Sequence, residues 1–86
     1  MNGRHAAALV LLGWYLLLPP FGPNEKAANT GAPFAQWEHN GSFDSASACE
    51  DAQAKGRDFY RGDKREVERF VWGRCIASDD PRLKAK

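Results

Sequence analysis

Apolar and polar positions divide this chain into three unequal stretches. Ala6–Leu18 (AAALVLLGWYLLL) runs without a charged or strongly polar side chain, and Pro19-Pro20 ends it. The stretch that follows, as far as Pro33, has no hydrophobic period and is rich in proline, glycine and asparagine. From Phe34 onward, short apolar clusters alternate with charges. The pattern predicts a hydrophobic helix within residues 1–21, a semi-flexible linker over 22–33 and one small domain over 34–86.

Inside that domain, Phe34–Asn40 (FAQWEHN) predicts a short strand with Trp37 inward, ended by Gly41-Ser42. Asp44 or Ser45 is placed to cap a helix, because a side-chain oxygen there accepts from an orphan backbone N–H. That helix is expected to run to about Lys55, with Gly56 as its stop. Cys49, Ala52 and Gly56 would share one small-residue face. Residues 57–73 have two readings: Asp63 caps a second short helix with Val67, Phe70 and Val71 on one face, or Phe70–Trp72 leads straight into a strand. Cys75–Ser78 reads as the last strand, and Asp79-Asp80-Pro81 as the turn that ends it. The expected fold is α+β: an N-terminal hydrophobic helix, then strand–helix–(helix or loop)–strand.

The N-terminal run itself has two readings. As an uncleaved anchor it would cross a bilayer through Ala6, Leu9, Leu12, Trp14 and Leu18, with Trp14, Tyr15 and Phe21 at the outer interface. The sixteen residues Ala6–Phe21 span about 24 Å as a helix, short of the roughly 30 Å hydrocarbon core but within tolerated mismatch. As a signal peptide the run has a basic start, Arg4, and an apolar core, but no good small-x-small cleavage site after it. The anchor reading leads: single-pass in the inner membrane with the C-terminus in the periplasm. The alternative is a secreted or periplasmic factor freed by signal cleavage.

Two cysteines, Cys49 and Cys75, lie 26 positions apart in what is then an exported chain. So small a domain needs a staple, and an even cysteine count outside the cytoplasm reads as a disulfide. Arg4 is the only charged residue before position 24, which leaves eleven cations against eleven anions in the rest. That balance argues against a nucleic-acid partner. Lys55–Arg74 is locally basic, with charges of both signs interleaved. Its aromatic and cationic residues Arg57, Tyr60, Arg61, Arg65 and Arg69 form the candidate interaction surface.

No catalytic set emerges. His39 stands beside Glu38, but neighbours on a strand point to opposite faces. Asp79 and Asp80 offer too few oxygens for a hard-cation site and read as a turn. Arg61-Gly62-Asp63 is a chance tripeptide at a helix boundary, and Asn40-Gly41-Ser42 is a formal glycosylation acceptor. The expectation is a protein that is not an enzyme, with no cofactor and no metal; the lesser alternative is a thiol or metal-assisted activity through Cys49/Cys75 or Asp79/Asp80.

The pattern Trp37…Phe43-Asp44-Ser45-x-x-x-Cys49-Glu50…Cys75-Ile76-Ala77-Ser78-Asp79-Asp80-Pro81-Arg82-Leu83, with Gly13-Trp14-Tyr15-Leu16 and Pro19-Pro20 before it, resembles a group of small, mainly proteobacterial, exported or membrane-anchored proteins of uncharacterised function. The resemblance covers both ends and leaves out residues 56–73. It implies export and a cysteine pair, and no activity. The expected role is therefore that of an envelope protein with a non-catalytic periplasmic domain, in contact with the bilayer through its N-terminal helix and with an envelope protein partner.

Overall fold

A computed structural model of the chain describes residues 13–23 and 27–84. They form a three-stranded antiparallel sheet with two helices on one face. The elements are β1 (Trp14–Leu18), β2 (Glu38–Phe43), α1 (Ala46–Phe59), α2 (Lys64–Val71) and β3 (Arg74–Ala77). Single 3-10 turns at Phe34–Gln36 and Pro81–Lys84 complete the set.

The sheet order is β2-β1-β3, so the first strand in sequence lies at the centre. β1 pairs Trp14 with Phe43 and Leu16 with Gly41 on one side, and Leu16 with Cys75 on the other. Before Trp14, Gly13 donates its N–H to Ser78 Oγ (3.0 Å) and accepts from the Ser78 N–H (2.8 Å). These pairings correct one expectation. Trp14 and Leu18, read as part of a membrane-spanning helix, belong to a strand instead. The physical reason is double burial. Leu16 and Leu18 pack against Cys49 and Phe70 on the helical face, while Leu17 packs against Trp37, Ile76 and Ala32 on the other. A strand covered on both faces has no polar alternation, so its sequence is an unbroken apolar run. Each buried leucine contributes about 1.5–3 kcal/mol of transfer free energy. Ala6, Leu9 and Leu12 lie outside the described residues.

Residues read as a spacer are folded back onto the sheet. Gly22 donates to the Ala27 carbonyl (2.8 Å), Asn29 donates to that of Pro20 (2.7 Å), and Phe21 bridges Ala28. Ala32 is buried, and its carbonyl accepts from Trp37 Nε1 (2.8 Å). Trp37 does point inward as expected, but the strand starts after it, at Glu38.

The helices follow their caps. Ser45 Oγ accepts from the Ala48 N–H (3.0 Å), and Asp63 Oδ1 accepts from those of Arg65 (3.1 Å) and Glu66 (3.3 Å). Asp63 thus starts a true second helix. The first helix does not stop at Gly56 but continues to Phe59. Gly56 is needed there for packing, because the Phe70 ring occupies the space a Cβ would fill. Gln53 joins the two helices by donating Nε2 to the carbonyls of Phe70 in α2 (2.7 Å) and of Gly73 just beyond it (3.0 Å). The disulfide ties Cys49 on α1 to Cys75 on β3, with Cα atoms 6.0 Å apart.

Candidate functional site

Among the described residues, the most unusual surface lies where α1 and α2 meet. Phe59 is 78% exposed at the last position of α1, and Tyr60 follows it at 36%. Phe59 lies seven residues beyond Ala52, within about 20° of the same helix face. Ala52 packs against the core, yet Phe59 is left in solvent. The ring of Phe59 meets that of Tyr60 edge-on at 4.8 Å, and Tyr60 stacks on buried Phe70 at 5.5 Å. A ladder of three rings therefore runs from solvent to core. Val71 and Trp72, at the end of α2, are also about half exposed.

The five residues singled out from the sequence divide into two groups. Tyr60 is the middle ring of the ladder, and Arg57 and Arg61 are exposed near it in sequence. Arg61 pairs with Asp58 at 3.1 Å in solvent, a contact worth little. The Arg61-Gly62-Asp63 tripeptide is the turn between the helices, and both its charges are engaged, Asp63 as a cap. Arg65 and Arg69 turn the other way. Their guanidinium carbons lie 4.4 and 4.9 Å from the centre of the Phe21 ring. Arg69 also donates Nε to the Pro19 carbonyl (2.9 Å) and pairs with Glu66 (3.3 Å) and Glu38. Its side chain is only 11% exposed, so it acts as a clasp across β1, β2 and α2. Sequence reasoning missed Phe59 as a surface residue. Its seven-residue spacing from Ala52 points to the core face, so the pattern alone predicts burial.

A second feature is a shallow cleft of about 250 Å³ lined by Ala32, Pro33, Phe34 and Arg82. Arg82 donates Nε and Nη2 to the two oxygens of Asp80 (3.1 and 2.8 Å), and its backbone N–H donates to Oδ1 (2.8 Å). These bonds lower the Asp80 pKa to about 2. Asp80 is thus committed to the turn. His39, exposed on β2, places Nε2 at 3.1 Å from the Gly41 carbonyl and 3.0 Å from Ser42 Oγ, with Tyr15 against its ring. No cluster of three or more metal-ligating side chains occurs among the described residues, and none of their helices is long and apolar enough to cross a membrane.

No protein-family model matches the chain, and no match was found among curated proteins or solved structures.

Proposed function

We propose that this chain is a non-catalytic binding domain of an oxidising, extracytoplasmic compartment, and that it docks an envelope protein through the aromatic end of the α1–α2 hairpin. The observation that carries the reading is Phe59, a large ring 78% exposed on the helix face that elsewhere packs the core. Aromatic residues and arginine are the side chains enriched where proteins meet. A protein partner fits better than an anionic lipid surface or nucleic acid. Past residue 23 the charges balance, and Lys55, Arg61 and Arg69 are paired with carboxylates.

The cysteine pair supports this choice of compartment, since disulfides persist outside the reducing cytoplasm. Anchoring through Ala6–Phe21 competes with folding, because Trp14–Leu18 cannot both span a bilayer and serve as the central strand. The apolar run ahead of Gly13, Ala6–Leu12, would reach about 10 Å as a helix, far short of a hydrocarbon core of roughly 30 Å. Cleavage beyond residue 20 would remove β1. The favoured form is therefore a domain that keeps Gly13 and everything after it.

A photo-crosslinking residue at Phe59, compared with one at exposed Ser47, tests this reading. A discrete adduct from position 59 alone, lost when an unlabelled Phe59 chain competes but not when a Phe59→Ser chain does, is expected. Equal labelling from both positions would contradict it.

A further inference from the structure

We infer that Asn40 is a site of spontaneous covalent modification, in which its side-chain amide is lost through attack by the backbone of Gly41. The register of β1 with β2 skips one residue: Leu16 faces Gly41, and Leu17 faces His39. Asn40 is the extra residue of that bulge, opposite no partner on β1. It is exposed, and β2 is an edge strand, so no described strand covers its outer side. Gly41 carries no Cβ beside its amide nitrogen, and the Phe43 ring packs where one would lie. A regular ladder position would resist the reaction by fixing the backbone on both sides. A bulge on an edge relaxes that restraint.

The chemistry balances with water alone. The Gly41 nitrogen bonds to Asn40 Cγ, the Cγ–Nδ2 bond breaks, and ammonia leaves with the amide proton. The resulting five-membered imide is opened by water at either carbonyl. One opening leaves aspartate. The other leaves isoaspartate, with the chain routed through the side chain and one extra backbone atom. The bulge already holds an extra residue, so the added atom falls where pairing is interrupted. His39 reaches across the position to the Gly41 carbonyl and Ser42 Oγ, both contacts exposed to solvent. Each event also adds a negative charge to an edge strand that already carries Glu38.

Asn29 is the internal reference. It precedes β-branched Thr30, and its Oδ1 already accepts from the Gly31 N–H (3.2 Å). The test is to incubate the oxidised full-length chain at mildly alkaline pH in ¹⁸O-water, followed by peptide mapping with isoaspartate detection. Mapping separates the peptide holding Asn40 from the one holding Asn2-Gly3. The expected result is ¹⁸O-labelled aspartate and isoaspartate at position 40, accumulating several-fold faster than conversion at Asn29, and absent in Asn40→Gln. Two results would overturn the inference. One is conversion at Asn40 no faster than at Asn29. The other is conversion at Asn40 only after reduction and unfolding in urea, which would show that the strand protects the site.

Discussion

The Phe70 ring lies where the side chain of residue 56 would be: a Cβ on Gly56 would come within 2.1 Å of Phe70 Cε1. The two helices approach this closely because one has no side chain at the crossing. Gly56→Ala therefore sets two effects against each other. Alanine improves helix propensity by about 0.8–1 kcal/mol. Overpacking against Phe70, which is only 5% exposed, costs about 1–3 kcal/mol. The clash should win. Chemical denaturation should show Gly56→Ala less stable than the parent, whereas Ala54→Gly, on the exposed side of the same helix, should lose only the propensity term.

The Cys49–Cys75 bond closes 26 residues between α1 and β3. On the chain-entropy model that link removes about 3.5 kcal/mol of unfolded-state freedom. The double variant Cys49→Ala/Cys75→Ala should melt at a sharply lower temperature than the oxidised chain. Alanine avoids leaving a polar group at Cys49, which is fully buried. Reducing the parent should lower its melting temperature in the same way. An unchanged melting temperature in both experiments would remove the bond from the account of stability.

Arg69 and Arg61 separate structural from surface cations. Arg69→Met should lose the bonds to Pro19, Glu66 and Glu38 and destabilise the fold by about 1–3 kcal/mol. Arg61→Met removes a solvent-exposed pair and should change stability by less than about 0.5 kcal/mol. Urea titrations of the two variants measure the difference.

These sites also show what the sequence made readable. The caps were readable as candidates, Ser45 alongside Asp44 and Asp63 as one of two readings, because capping needs a short polar side chain before a periodic segment. The cysteine pair was visible because so small a core needs a staple. β1 was not visible. The run WYLLL carries no period when both faces are buried, so it looks the same in a membrane helix and in a central strand. Gly56 was misread because a helix stop and a close helix crossing call for the same residue. The contact of Arg65 and Arg69 with Phe21, forty-four and forty-eight positions earlier, is not shown by local sequence.

The turn at Asp80 gives a pH signature. Hydrogen bonds from the Arg82 side chain and backbone hold the Asp80 carboxyl at about 2, below its ordinary 3.8. A depressed value means that the contact favours the folded state above 3.8 and is lost as pH falls through about 2. A carboxyl-carbon NMR titration should place the Asp80 midpoint near the lower figure, and Arg82→Ala should move it up toward the ordinary one. An Asp80 midpoint already at the ordinary value in the parent would show that the turn is open in solution.

Trp14–Leu18 forms the middle strand of the fold. The most direct test is NMR on the oxidised full-length chain in lipid-free buffer, reading cross-strand backbone contacts of Leu16. The predicted result is contacts from Leu16 to both Gly41 and Cys75, with extended-chain chemical shifts over residues 14–18. Helical shifts over those residues, with neither contact present, would contradict it.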